Sequence, residues 1–349
     1  MKRRNFKITT NKLFTVENCI NNSSNSFFSI NKTYGDLQDD YMELIHLPQH
    51  NKAQIEWQNT LYEPMQRFVI SLIEGYIKKN DIHLCYIGAG PYLPLFGKSV
   101  FSKKLLNTIS SISFLDISNK SLVECKKKLL VIAPHINVKT YKVDITQGTG
   151  ENWLGVLKNI IFESLTPEQV LVRLKAFRIE SIQETDYKLN FLKSVQADIV
   201  YSEMVATFTG TAPLLAFCLA VQNNFTHSLT VKKVLRHLRA LWQQYNEISY
   251  QKQLMMMYEL VHSRGLVAVA TDVEKILSDG TCELSTSFLT SRFPQPDFHG
   301  LNVLKYIPSE KVVWNDVIKN ADDSYGLFTS ASQAHKHLID FAVYQKSED

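Results

Sequence analysis

The apolar positions of this chain follow two different spacings. Short unbroken apolar runs, bounded by turn residues, are typical of strands that are buried on both faces of a parallel sheet. The predicted strands are the run from His83 into Gly88, Ser111–Asp116, Asn137–Asp144, Ala197–Tyr201, Gly265–Val269, Lys311–Trp314 and Leu338–Tyr344. The last two are expected to pair in antiparallel fashion and to close the edge of the sheet.

Longer segments between these runs carry apolar residues at helical spacing. They predict helices over residues 51–76, before the first strand, and later over residues 212–221 and 231–261. Another helix should begin at Thr166-Pro167, because threonine caps helices and proline suits their first position.

Strands that alternate with helices in this way predict an α/β fold. We expect a Rossmann-like sheet of seven strands, mostly parallel, with helices on both faces. Residues 1–35, rich in Asn, Ser and Lys, are expected to form a poorly ordered arm, and residues 36–80 the N-terminal helices. Residues 81–349 then form one domain with helical insertions at about 145–196 and 211–262.

Composition describes an ordinary globular protein rather than a nucleic-acid-binding or membrane-spanning one. The chain has 349 residues, 45% hydrophobic and 21% charged, with a formal net charge of +4, which favours nucleic acid only if the charge is concentrated in a patch. Its five cysteines are scattered, as in proteins of a reducing compartment. The N-terminus has no secretory signal pattern, so we expect a cytoplasmic protein, which leaves later export by another route open.

Candidate chemistry lies at the ends of the first four strands. Gly88-Ala89-Gly90-Pro91 follows the first strand, and glycines there let backbone groups approach a ligand beside a helix N-terminus. Asp116 ends the second strand, where a carboxylate can accept both hydroxyls of a ribose. Asp144 ends the third, where it can accept an adenine amino group, and Ser202-Glu203 follows the fourth. This edge of the sheet is therefore predicted to bind a nucleotide-like ligand.

The order of these motifs resembles that of the class I S-adenosylmethionine-dependent methyltransferases. The resemblance implies that Gly88 and Gly90 flank the methionine part of S-adenosylmethionine, that Asp116 holds its ribose and that Asp144 faces its adenine. It also implies that Glu203 is the catalytic carboxylate beside the transferred methyl group. The other residues expected in the cofactor site are Tyr86, Ala89, Pro91, Ile117, Ile145 and Ser202.

The segment Ser202-Glu203-Met204 resembles the strand-Ser-Glu stretch of protein arginine methyltransferases. That resemblance implies an amine or guanidine acceptor, on a protein or a small molecule, because a carboxylate pairs with such cations. Those enzymes carry a second glutamate in the same loop, and residues 207–215 contain none. The acceptor is therefore left open between these groups and another nucleophile.

Three alternatives stay open at this stage. Tyr86 stands where the methyltransferases usually have an acid, and the stretch from Tyr86 to Leu95 resembles the first motif of nicotianamine synthases, which transfer the aminobutyrate arm of the same cofactor. A nicotinamide dinucleotide would need a third glycine, and Leu93 stands in its place. Loss of the acid at position 86 is also compatible with an inactive interaction protein of the same fold.

Metal-dependent and covalent catalysis are not predicted. The histidine pairs His46 with His50 and His335 with His337 have no third ligand at a recognised spacing. The sequence also lacks the G-x-S-x-G turn of serine hydrolases.

Overall fold

A computed structural model describes residues 29–45, 71, 74–75, 80–88, 103–182, 194–203, 205, 209–225, 228–276, 282–284, 297–298, 300–307, 313–316 and 335–348. The helices predicted over residues 51–76 lie mostly outside these ranges, and so do Ala89, Gly90 and Pro91. Of Glu203, only the backbone is described.

The described strands form one mostly parallel sheet. In chain order they are β1 Ile82–Ile87, β2 Ile109–Asp116, β3 Asn137–Lys142, β4 Ala197–Glu203, β5 Val261–Ile276, β6 Cys282–Leu284, β7 Asp297–Phe298, β8 Leu301–Ile307, β9 Val313–Asp316 and β10 His335–Lys346. The order in the sheet is β3-β2-β1-β4-β5-β10-β8-β7, with β6 on β5 and β9 on β10. The first five strands of that order are parallel, and β10 is antiparallel to both neighbours. The seven longest strands confirm the predicted seven-stranded Rossmann-like sheet.

Several predicted strand boundaries were wrong. Strand β3 ends at Lys142, so Asp144 follows the strand at a distance of two residues instead of closing it. Strand β4 continues through Ser202 and Glu203, which were expected just beyond it. Strand β5 is much longer than the predicted residues 265–269, because antiparallel pairing with β10 continues as far as Ile276.

The closing edge of the sheet also differs from the prediction. Strands β9 and β10 do pair in antiparallel fashion, as expected. However, β10 lies inside the sheet, between β5 and β8, and β9 is a short side branch. Strand β8 was not predicted; it pairs with β10, and the two-residue strand β7 beside it ends the sheet.

The described helices number seven. They are α1 Tyr34–Ile45, α2 Lys103–Thr108, α3 Asn119–Ile132, α4 Thr149–Phe162, α5 Pro167–Ala176, α6 Thr211–Asn224 and α7 Leu229–Leu260. The predicted cap of α5 is confirmed, since Thr166 Oγ1 accepts from the Gln169 N–H at 3.3 Å. The Gln169 side chain in turn accepts from the Leu165 N–H at 2.7 Å, one residue before the cap.

Helices from three separate parts of the chain share one apolar core. Buried side chains of α1, α4, α5, α6 and the first half of α7 form a single cluster. Ile30 and Tyr34 belong to it, so the end of the predicted arm is packed against the helices. The second half of α7 packs against the sheet through residues such as Leu254 and Leu260. Because α7 has 32 residues, or about 48 Å of length, it joins the helical core to the sheet core.

Candidate functional site

Three predicted site residues lie in one row across the carboxyl ends of the parallel strands. Ile87 of β1 is in register with Leu115 of β2 and with Ser202 of β4. The next residue on each strand is therefore Asp116, Gly88 or Glu203, at the same level. Since neighbouring strands lie about 4.8 Å apart, Asp116 and Glu203 flank Gly88 with roughly 10 Å between their backbones.

Gly88 lies at a tight turn at the end of β1, and its predicted place beside the cofactor remains a prediction. Its φ of +64° is in the left-handed region that favours glycine. Its N–H donates to the Leu115 carbonyl oxygen at 2.8 Å, and a Cβ added to it would overlap the side chain of Val205. Val205, in the segment that follows β4, thus occupies the space beside Gly88. The end of β1 is therefore in contact with the residues that follow β4.

The Asp116 carboxylate is buried at the point where α3 begins. Its Oδ1 accepts from the Ser118 N–H at 2.8 Å, and Ser118 Oγ accepts from the Ser121 N–H at 3.2 Å as the cap of α3. The partial positive charge of the helix N-terminus stabilises an anion there. These contacts fix the carboxylate at the edge formed by the carboxyl ends of the parallel strands. Its predicted role as ribose acceptor remains a prediction. The neighbouring Ile117 packs against the helical core.

The Asp144 carboxylate organises the turn between β3 and α4. Its Oδ1 accepts from the Thr146 N–H at 2.8 Å and from Thr146 Oγ1 at 2.6 Å, while Oδ2 accepts from the Gly148 N–H at 3.0 Å. Burial raises the pKa of Asp144, and these hydrogen bonds oppose that rise. Asp144 therefore holds this turn together, and its predicted contact with adenine remains a prediction. Ile145 beside it is buried in the sheet core.

Tyr86 is part of the apolar interior. Its side chain is 1% exposed, and its ring lies 5.2 Å from that of Tyr201 and 6.2 Å from that of Phe114. The three rings come from the neighbouring strands β4, β1 and β2. Tyr86 thus contributes packing where an acid would carry charge, and its predicted contact with a cofactor stays a prediction.

A buried polar stripe on α7 faces the segment that contains the end of β4. Asn246, Ser249 and Gln253 recur at spacings of three and four residues, which places them on one face of the helix, and all three are buried. Gln253 Nε2 donates to Ser202 Oγ, whereas Gln253 Oε1 is buried without a hydrogen-bond partner in the described part of the chain. An unpartnered buried acceptor is costly, so it points to a ligand or water donor at this place.

Thr209, which follows β4, is held from two sides. Its carbonyl oxygen accepts from the Tyr34 hydroxyl at 2.9 Å and from Gln38 Nε2 at 3.0 Å, both on α1. Its hydroxyl oxygen lies 2.6 Å from Ser249 Oγ on α7. Burial raises the pKa of Tyr34 well above its usual value, so the phenol keeps its proton and acts as the donor.

Sequence reasoning missed the stripe of Asn246, Ser249 and Gln253. The apolar pattern of α7 was interpreted as packing, which its first half confirms. The signal that could have revealed the stripe is that polar residues continue the same helical face after Tyr245. Polar side chains on a buried face are expected to have a partner or a function.

Three cysteines, Cys85, Cys125 and Cys218, are buried and form no disulfide in the part of the chain that the structure describes. Burial raises the pKa of all three, that of Cys218 to about 12, so they are protonated at neutral pH and poorly suited to act as nucleophiles.

Within the described residues, no group of three His, Cys, Asp or Glu side chains is placed to hold a metal ion. Nor does any helix in that part of the chain have both the length and the apolar character needed to cross a bilayer.

No protein-family model matches this sequence. No curated protein matches it either. The fold is similar to that of the N-methyltransferase NodS from Bradyrhizobium japonicum WM9, solved with S-adenosyl-L-homocysteine, at 8% identity over 91% of this chain and 100% of that one, with a TM-score of 0.35. It is also similar to the CurJ carbon methyltransferase, at 11% identity over 90% and 59% of the two chains, with a TM-score of 0.39. For the cyclase SpnF the identity is 8% over 81% of each chain, with a TM-score of 0.38.

Proposed function

We propose that this chain is an S-adenosylmethionine-dependent transferase that methylates a nucleophilic acceptor held between the end of β4 and helix α7. The observation that supports it best is the row formed by Asp116, Gly88 and Glu203 at the carboxyl ends of adjacent parallel strands. The strand order reverses between β1 and β4, and ligands of open α/β sheets bind in the crevice at such a switch point.

Two features of this edge fit an adenosyl ligand. Asp116 offers a buried, oriented carboxylate, the group that accepts ribose hydroxyls in sites of this kind. Gln253 offers a buried carbonyl oxygen with no partner among the described residues, beside Ser202 near the end of β4. We therefore assign Asp116 to the ribose and Gln253 to a donor group of the ligand or acceptor.

S-adenosylmethionine would supply a methyl group on a sulfonium that is ready for direct displacement. The protein then has to hold the acceptor in line with the sulfonium and to exclude water. This positioning can account for most of the rate enhancement. We assign Glu203 to the acceptor, because its strand position beside Gly88 allows a carboxylate to orient a cationic or N–H group and to take its proton. Buried Ser202, Ser249 and Gln253 would keep the α7 side of this strand end polar but closed to bulk water.

Aminobutyrate transfer from the same cofactor is the second candidate. One observation favours it: Tyr86, at the position where the methyltransferases usually carry an acid, is a core aromatic residue. No carboxylate at position 86 is available to hold the amino group of the cofactor. The two reactions leave different products, because methyl transfer releases S-adenosylhomocysteine and aminobutyrate transfer releases methylthioadenosine.

The test is to incubate the protein with S-adenosylmethionine and pools of candidate amine, guanidine and hydroxyl acceptors, and to analyse the nucleoside product by mass spectrometry. We expect S-adenosylhomocysteine in amounts that depend on the acceptor. Glu203→Gln should keep cofactor affinity while turnover falls by a factor of about a hundred or more. Glu180→Ala, which removes an exposed carboxylate, is the matched control and should change neither.

Formation of methylthioadenosine would show that the protein transfers aminobutyrate and not methyl. Turnover by Glu203→Gln at the rate of the unmodified protein would refute the role of Glu203. Binding of neither adenosyl compound would overturn the proposed function and favour an interaction protein of the same fold.

A further inference from the structure

Helix α3 presents a second, outward face that is both aliphatic and basic. Its inward face packs through Ser121, Leu122, Cys125 and Leu129. On the opposite side, Val123 is 57% exposed and Val131 is 81% exposed. Leu130 and Ile132 add further exposed aliphatic surface at the end of the helix.

The basic charge of the chain is concentrated on and beside this helix. Residues 117–142 contain six lysines and one glutamate, an excess of positive charge larger than the net charge of +4 of the whole chain. Lys126 and Lys127 are exposed on α3, and Lys139 and Lys142 are exposed on β3. Strand β3 is at the end of the sheet and α3 packs against it, so these lysines occupy one corner of the molecule.

Aliphatic and basic side chains are interleaved on the outward face. Successive helical residues are rotated by about 100°, so Val123, Lys127 and Val131, at spacings of four residues, form one stripe opposite the buried side chains. Isolated apolar residues on a surface are ordinary. Lysines are attracted to the headgroups of an anionic bilayer, and exposed aliphatic side chains beside them can bury apolar area at the headgroup boundary.

The same composition disfavours nucleic acid. Base stacking and bidentate phosphate recognition use aromatic side chains and arginine. Residues 119–132 of α3 contain neither. Lysine attracts the phosphates of headgroups and of nucleic acids alike. The exposed valines favour the lipid surface, because a sugar-phosphate backbone offers them no apolar contact.

We propose that the outward face of α3, formed by Val123, Lys126, Lys127, Leu130 and Val131, docks the protein on an anionic lipid surface. The lysines engage the acidic headgroups, and the valines and Leu130 enter the boundary between headgroups and acyl chains. This docking is independent of the transferase proposal, because none of these residues is placed in the site at the strand ends.

The experiment is co-sedimentation of the full chain with phosphatidylcholine vesicles that either contain or lack phosphatidylglycerol. We expect binding only to the anionic vesicles, and weaker binding as the salt concentration rises. Lys126→Gln/Lys127→Gln should weaken it by about thirtyfold, since each lysine near an anionic surface contributes about a factor of five. Val131→Ser should weaken it by about fivefold without any change in charge.

Two matched controls separate this face from general charge and hydrophobicity. Lys232→Gln/Lys233→Gln removes two exposed lysines on α7, and Val172→Ser removes a valine on α5 that is 65% exposed. Both should bind anionic vesicles as the unmodified protein does. Circular dichroism of each variant checks that the fold is retained.

Three results would overturn the proposal. The first is no binding to anionic vesicles, and the second is equal loss of binding in the α3 variants and their controls. The third is retention of the protein by an acidic polypeptide or by duplex DNA, through Lys126 and Lys127, when the vesicles fail to retain it.

Discussion

The hydroxyl of Tyr34 donates to the backbone carbonyl oxygen of Thr209 at 2.9 Å, across 175 positions of sequence. Gln38 donates to the same oxygen at 3.0 Å. Helix α1 therefore fixes the segment that follows β4, which carries the proposed acceptor side of the site. An element that comes before the sheet in sequence thus holds part of its carboxyl edge in place.

Removal of the Tyr34 hydroxyl should be a moderate perturbation. Tyr34→Phe keeps the ring in the helical core and loses one buried hydrogen bond, while Gln38 still satisfies the Thr209 carbonyl. We expect the free energy of unfolding to fall by about 1 kcal/mol in urea denaturation. If Tyr34→Phe lowers the free energy of unfolding by the same amount in the unmodified protein and in Gln38→Met, the two donors act independently. They would then not share the Thr209 carbonyl as described.

Two glycines of α4 provide a matched pair. A Cβ at Gly150 would overlap the Tyr34 ring, whereas a Cβ at Gly155 would meet no atom within 4 Å. Gly150→Ala should therefore destabilise the fold by about 1–3 kcal/mol through overpacking. Gly155→Ala should stabilise it by roughly 0.5–1 kcal/mol, because alanine favours the helix interior. Equal effects of the two substitutions on the urea midpoint would show that α1 does not pack on α4 as described.

His83 should make stability depend on pH. Burial lowers the pKa of His83, whose Nδ1 lies 2.9 Å from the Gln196 carbonyl oxygen and whose Nε2 lies 2.8 Å from Ser113 Oγ. The unfolded chain then binds the proton more readily, so stability is full above the unfolded value of about 6.5 and is lost as the pH falls through it. We expect the urea midpoint to decline as the pH falls below about 6.5 towards the lower pKa of the folded state, and less so in His83→Gln. An equally steep decline in that variant would assign the effect to other groups.

Gln253 is predicted to matter more for activity than for stability. Gln253→Met removes the bond to Ser202 but also removes a buried acceptor that lacks a partner among the described residues, so the free energy of unfolding should change by less than about 1 kcal/mol. The rate of group transfer should fall about tenfold or more, because the ligand loses a buried hydrogen bond. Gln251→Met, at an exposed position of the same helix, is the control. A large loss of stability with unchanged turnover would make Gln253 a structural residue.

The sequence was sufficient for the parallel strands β1 to β5 and for the row of strand-end residues. Gly88, Asp116 and Glu203 end their apolar runs, and parallel strands place their carboxyl ends at one edge of the sheet. The three residues must therefore lie together at that edge. Strand β8 was missed because its register is set by pairing with β10, a long-range contact that local pattern does not encode.

The shared helical core was also beyond the sequence. Each predicted insertion shows its own apolar stripe, but nothing local states that the stripes of α1, α4 and α6 face one another. The role of Asp144 in its turn likewise depends on the amides of Thr146 and Gly148, which approach the carboxylate only in the folded turn. Such contacts follow from tertiary geometry rather than from residue type.

We propose that the row of Asp116, Gly88 and Glu203 forms an adenosyl-binding edge. Calorimetric titration of S-adenosylhomocysteine into the full chain, with NAD as the competing ligand class, tests it most directly. We predict micromolar binding of S-adenosylhomocysteine, a loss of at least about tenfold in Asp116→Ala, unchanged binding in Glu180→Ala, and no heat with NAD. Absence of binding to the adenosyl compound, or equal affinity of Asp116→Ala and the unmodified protein, would contradict the account.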